Sequence, residues 1–235
     1  MRRLARFVFK RRKTSEPPEP LGRPKVLIFD FDGTVADTML AGIRILNKLS
    51  NEFGYRELKE SEIEKARNMR TAQLMKFLGI SMTKMTRLAR RGSEELTLCM
   101  PTVQPLPGMR EALSELHAAG FVLGLVTSNT EANVAIFLKN HGIDCFDFIR
   151  CSSKLMGKAR EFKQVMKEKK LGPDDLFSIG DETRDVDAAR KAGIRIAAVT
   201  WGYNSEQSLV DLKPDFVFHR PEELVAHLLA LPAHS

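Results

Sequence analysis

Residues 25–34 read KVLIFDFDGT, and the order of these ten residues decides the fold. Val26, Leu27, Ile28 and Phe29 form an apolar run without polar alternation, as in a strand buried on both faces of a parallel sheet. The run ends in Asp30, Phe31, Asp32, Gly33 and Thr34. In open α/β sheets ligands bind beyond the carboxyl ends of the strands, so the residues after each such run are where chemistry should be sought.

Downstream the pattern repeats. Apolar runs predict strands over 121–126, 148–151, 176–179, 196–199 and 216–218. Between them lie helices over 131–140, 157–170 and 186–192, with a last one over 222–231. The stretch MREALSELHAAG reads as an amphipathic helix closed by Gly120. Strands alternating with helices imply βαβ units and right-handed crossovers, hence an α/β fold with a parallel sheet and helices on both faces. The segment from Met39 to about Cys99 differs. It has no β-branched run, carries Ile43, Leu46 and Leu49 at helical spacing, and breaks near Gly54 and Gly79, so it reads as a helical insertion.

A chain of 235 residues suits one core plus a smaller insertion, and 43% hydrophobic residues are too many for a disordered chain. Cys99, Cys145 and Cys151 are an odd set without a C-x-x-C pair, which argues against a disulfide framework or zinc ribbon and for a reducing compartment. No stretch reaches the apolar length of a membrane span, so no integral membrane segment is expected.

The formal charge of +7 has a location. Residues 1–25 carry nine Lys and Arg against Glu16 and Glu19, and the rest of the chain is balanced. Within that rest, residues 38–105 hold twelve basic and seven acidic residues, so the insertion is net basic. The start, MRRLARFVFKRRK, lacks a secretory cleavage pattern, and SEPPEPLGRP reads as a stiff linker. Residues 1–24 are therefore expected to be a disordered basic tail and proline-rich linker. Residues 1–13 are a candidate for weak contact with an anionic surface or for organellar targeting, and the location is otherwise expected to be cytoplasmic.

Four strand ends carry polar residues. Asp30 and Asp32 follow the first strand, although an acidic turn would also produce that pair. Thr127, Ser128 and Asn129 follow the second and open a helix, where they suit either an anion or an ordinary N-cap. Lys154 and Lys158 lie near the next helix start, where a cation opposes the helix dipole and asks for an anionic partner. Asp181, Glu182, Asp185 and Asp187 crowd the end of the fourth strand. Carboxylates so close repel unless a cation intervenes, and oxygen donors suit a hard ion such as Mg2+. Together these parts match what a phosphoryl group requires: a metal and a lysine against its charge, N–H and hydroxyl donors for its oxygens, and a positioned nucleophile.

The motifs DFDGTVADT, LVTSN, GKAR and GDETRD, in this order, resemble those of the haloacid dehalogenase superfamily of phosphohydrolases, with the phosphoglycolate-phosphatase-like branch fitting best. The resemblance spans residues 25 to about 220. It implies a haloacid dehalogenase-like Rossmannoid core over 25–37 and 106–235, with a small mobile α-helical cap over 38–105. It further implies Asp30 as the nucleophile that forms an aspartyl-phosphate and Asp32 as the acid/base. Thr127, Ser128, Asn129 and Lys158 would bind phosphate. Magnesium would lie among Asp30, Asp32 through its carbonyl, and Asp181, with Asp185 in support. The lysine motif departs from the branch, reading Lys158-Ala159 rather than Lys-Pro, and Lys154 competes for the role.

A magnesium-dependent phosphatase acting on a small phosphomonoester, phosphoglycolate-like or a sugar phosphate, is the expected function. A phosphotransferase or mutase with the same Asp30 chemistry is one alternative, and a regulatory or binding protein using the basic arm is another. Asp32 must give up a proton and take one back, so its pKa is expected to lie high. Arg67, Arg70, Lys84, Arg87, Arg90 and Arg91 are candidates for gripping a second anionic group of the substrate. Trp201 and Tyr203 are candidates for walling the pocket. The five histidines show no metal spacing and are assigned no role, and the oligomeric state is left open.

Overall fold

The computed structural model describes residues 22–152 and 157–232. The basic tail up to residue 21, Ser153 and Lys154 lie outside the described residues. Six strands form one sheet in the order β3-β2-β1-β4-β5-β6, every neighbouring pair parallel. They are β1 (Val26–Phe29), β2 (Val122–Thr127), β3 (Phe148–Cys151), β4 (Leu176–Gly180), β5 (Arg195–Val199) and β6 (Phe216–Phe218). The chain winds outward from β1 in both directions, so β1 marks the switch point at which the crevice beyond the strand ends opens.

Period-two geometry sends alternate side chains of β1 to opposite faces of the sheet. Leu27 and Phe29 enter one core, with Met109 and Leu113 of α5 (Met109–Ala118), Val134 and Phe137 of α6 (Glu131–His141), and Leu224 and Leu228 of α10 (Pro221–Ala230). Val26 and Ile28 enter the other, with Phe162 and Val165 of α7 (Lys158–Lys169), Val186 and Ala189 of α8 (Thr183–Ala192), and Leu209 of α9 (Glu206–Val210). Each large apolar side chain removed from water contributes about 1.5–3 kcal/mol, so the two clusters hold the strand ends rigidly in register.

Between β1 and α5 lie four more helices: α1 (Met39–Phe53), α2 (Ile63–Arg67), α3 (Thr71–Leu78) and α4 (Met85–Cys99). Left-handed Gly54 and Gly79 end α1 and α3, at φ 68° and 77°, which fits the breaks expected there. These helices bury a cluster of their own around Ile45, Leu49, Phe53, Leu78 and Leu88. The chain leaves the core and returns to it side by side, since Asp37 N donates to Gln104 O and Leu106 N to Val35 O.

Three local differences from the sequence expectation have physical causes. Helix α8 starts at Thr183 rather than 186, because the Asp185 carboxylate accepts the Glu182 N–H at 3.0 Å and caps the helix early. Helix α9 was not expected. It is five residues long, too short to show a period, and starts where the Ser205 side chain accepts from Ser208 N. The end of the linker belongs to the core, where Arg23 donates to Ala119 O at 2.6 Å and its N–H to Pro232 O.

Candidate active site

The site begins with the turn after β1. Asp30, 4% exposed, follows Phe29 directly and its Oδ1 accepts the Phe31 N–H at 2.7 Å. Gly33, at φ +75°, then folds the chain back so that Thr34 Oγ1 donates to Asp181 Oδ1 at 2.6 Å. The other oxygen, Asp181 Oδ2, accepts the Tyr203 N–H at 2.7 Å. Both neighbouring glycines are required by this fit. A Cβ on Gly33 would lie 2.3 Å from Asp181 Oδ2, and one on Gly202 2.1 Å from it.

Lys158, the first residue of α7, is 6% exposed and projects between two carboxylates. Its Nζ lies 2.5 Å from Asp30 Oδ2 and 2.5 Å from Asp185 Oδ1. Only the contact with Asp185 has hydrogen-bond geometry, so Asp30 Oδ2 is buried without a hydrogen-bond partner. The sequence pattern asked for an anionic partner at this helix start, and the fold supplies two.

Asp32 faces away from this cluster. Both of its carboxylate oxygens accept from Asn129 Nδ2 at 3.1 Å, and Asn129 Oδ1 is held by Thr130 N and Asn133 Nδ2, each at 2.8 Å. That network fixes the orientation of the amide. Thr127 is fully buried at the end of β2, and its Oγ1 accepts the Asn129 N–H at 2.9 Å, which leaves its own O–H to donate. Ser128 is half-buried, and its side chain makes no hydrogen bond among the described residues.

Charge crowding shows in the protonation equilibria. Burial raises Asp30 to about 7, with Asp185 adding to the rise and Lys158 opposing it. Burial also raises Asp181 well above the carboxylate range, helped by Glu182, Asp30 and Asp185. Asp32 is raised by burial, against hydrogen bonds from Thr38 and Asn129, in the direction an acid/base requires. Burial alone would lower Lys158, but Asp185 and Asp30 outweigh it and hold the ammonium charged.

Oxygens of Asp30, Asp181 and Asp185 lie within 4.8 Å of one another, all three residues buried. The Asp32 carboxylate is not in this group, so of the four acids expected around a metal only three converge through their side chains. An all-oxygen set, an orphaned buried carboxylate oxygen, and the rise of Asp30 and Asp181 from burial first and neighbouring carboxylates second fit a hard divalent cation such as Mg2+.

The six basic residues of the helical insertion that are candidates for gripping a substrate all have partners within the protein. Arg70 pairs with Asp187, Arg87 with Glu52, Arg90 with Glu94, and Arg91 with Glu52, Glu94 and Glu95. Lys84 donates to Phe53 O. Arg67 spends its guanidinium on Glu64 and on the carbonyls of Thr200, Gly202 and Tyr203, which bolts the cap to the core. Spacing alone could have warned of two of these, since Arg90–Glu94 and Arg91–Glu95 are i,i+4 pairs on one helix face.

Sequence reasoning overlooked Thr34, Asn133 and Arg184. Arg184 pairs with Glu182 beside the acidic cluster, and its Nε is buried without a partner. Of the two aromatic candidates, Tyr203 lines the space between cap and core, whereas Trp201 packs against the core and donates to Thr34 O at 3.2 Å.

A family model described as haloacid dehalogenase-like hydrolase matches residues 27–199. A protein named phosphoglycolate phosphatase from Synechococcus elongatus is 33% identical over 202 residues, covering 86% of this chain and 95% of its own. Another of that name, from Agrobacterium fabrum, is 30% identical over 215 residues, covering 87% and 90%. Among solved structures, a haloacid dehalogenase-like family hydrolase from Streptococcus pneumoniae superposes with a TM-score of 0.74 at 23% identity, covering 87% of this chain and 98% of that one.

Proposed function

The chain belongs to the haloacid dehalogenase-like hydrolases, and from that membership we propose that this phosphatase cleaves small phosphomonoesters by a magnesium-dependent, two-step displacement at Asp30. The observation that carries the reading is the junction of Asp30 and Asp181, at the ends of neighbouring strands β1 and β4, with Lys158 and Asp185 from the starts of α7 and α8, and with Asp32 and Asn129 bonded beside it. Phosphoglycolate, for which the relatives are named, is the reference substrate.

In the first step an Asp30 carboxylate oxygen bonds to phosphorus and the ester P–O bond breaks. The proton of Asp32 goes to the departing oxygen. In the second step water attacks phosphorus, the Asp30–phosphorus bond breaks, and the water proton returns to Asp32. Asn129 holds Asp32 for both transfers. The Thr127 and Ser128 hydroxyls donate to phosphoryl oxygens, and Lys158 offsets the repulsion between carboxylate and phosphate. Asp30 and Asp181 would hold Mg2+ with the Asp32 carbonyl, while Asp185 keeps Lys158 in place; the bound ion supplies charge neutralisation at the phosphoryl group.

A phosphate-release screen of small phosphomonoesters with Mg2+, using Asp30→Asn as the blank, tests the reading. The wild type is expected to release phosphate, and the variant to lose turnover by a factor on the order of 10⁴ or more. Equal rates would contradict it.

A further inference from the structure

We propose that this site, taken as the phosphomonoesterase argued above, prefers esters whose leaving group is apolar and is seated inside the helical cap. A cavity of about 400 Å³ opens beside Asp32 and runs into the cap between α1, α2, α3 and α4. At the core end it is bordered by Asp32, Glu182, Arg184 and Tyr203. Beyond that neck its wall is hydrocarbon and thioether, with Ile43, Leu46, Leu74, Met75, Met85 and Leu88 facing the space.

The charges on the cap decide which leaving group can enter. Arg70, Arg87, Arg90 and Arg91 are paired with carboxylates away from the cavity, and Lys84 is spent on a backbone carbonyl. Arg67 borders the cavity, but its guanidinium is committed to Glu64 and to three carbonyls. Arg184 at the neck is paired with Glu182, itself an anion beside the path. The Arg184 Nε–H stays without a partner at the neck, but beyond the neck a carboxylate would lose its hydration without meeting an uncommitted cation among the described residues, an unfavourable exchange. An alkyl or aryl group entering the same space gives up only its contact with water. Methionine walls adapt their shape, so a range of apolar groups can be covered.

Size points the same way. A cavity of about 400 Å³ falls in the range of pockets that enclose whole ligands. The carbon skeleton of a two-carbon acid would leave most of it unfilled.

The test is kcat/KM of the full-length wild type with Mg2+ for phosphoglycolate and for a series of straight-chain alkyl phosphates of increasing length, with Asp30→Asn as the blank. The expected result is a rise of roughly fourfold for each added methylene until the cavity is filled, carried mainly by KM. Met75→Trp, which narrows the cavity away from the strand-end residues, should flatten the rise along the series by lowering kcat/KM for the longer esters. Magnesium-dependent turnover that is highest with phosphoglycolate, or flat along the alkyl series, overturns the apolar preference and leaves the phosphatase reading standing. No magnesium-dependent phosphate release from any of these esters overturns both.

Discussion

The rim of the sheet and the interior of the cap are neighbouring walls of one space, built on opposite principles. At the rim, buried charges are forced together: Asp30, Asp181 and Asp185 converge on one another, and Lys158 lies between two of them. In the cap, charges are paired with one another, the buried Glu95 with Lys48 and Arg91 included, and the cavity wall is left apolar. Concentrating like charge costs stability, so the rim is where the fold has put chemistry; the cap interior costs little and can vary with the group it must accommodate.

The contrast is broken most severely at Lys158. Lys158→Met leaves Asp30 and Asp185 buried without their cation, and denaturant unfolding should show a loss of roughly 3–5 kcal/mol together with loss of phosphatase turnover. A variant of unchanged stability would mean that the rim charges are not truly buried.

Gly202→Ala probes the same wall through shape alone. Its Cβ would lie 2.1 Å from Asp181 Oδ2, so the carboxylate or the loop must move. We expect about 1–3 kcal/mol of destabilisation from overpacking and on the order of 10²-fold lower turnover from the misplaced carboxylate. Retained turnover would show that the position of Asp181 is not critical.

Protonation offers a gentler perturbation. Asp30 is raised from the ordinary carboxylate value of 3.8 to about 7, so the folded state holds its proton more tightly than the unfolded chain does. Its contribution to stability is complete below about pH 4 and is lost as pH rises through about 7. In chelator, the melting temperature should therefore fall between about pH 5.5 and pH 8 on this account. A cation competes with the proton for the same oxygens, so excess Mg2+ should raise the melting temperature more at the higher pH. A magnesium effect independent of pH would separate the ion from this cluster.

The smallest effect belongs to the cap exterior. Arg87 and Arg90 are 69% and 73% exposed at the side chain and paired only at the surface. Replacing either by Gln should change stability by less than about 0.5 kcal/mol and leave turnover within twofold. A large loss of turnover would restore these residues as substrate contacts.

The same contrast governs what could be read from the residues alone. The four inner strands are buried almost throughout and appear as apolar runs, and the edge strands β3 and β6, though only partly buried, still carry enough apolar residues between helices, so all six were legible, and the polar residues after them marked the rim. Convergence of Asp30 with Asp181 and Asp185 could be expected from the strand ends. The aim of Asp32 toward Asn129, and the service of Thr34 to Asp181, depend on a tight turn at Gly33 that no periodicity records. The cap was harder. Helical spacing showed its apolar residues, but a net positive composition does not tell which cations already have partners, and the six basic candidates proved to be committed to carboxylates and carbonyls.

The central claim is that Asp30 itself captures phosphorus. Rapid acid quench of the wild type during turnover, followed by mass analysis of its peptides, tests this most directly. A phosphoryl group on the peptide that carries Asp30, labile to hydroxylamine and absent from Asp30→Asn, is the predicted result; a phosphoryl group on a different peptide that persists in Asp30→Asn would contradict it.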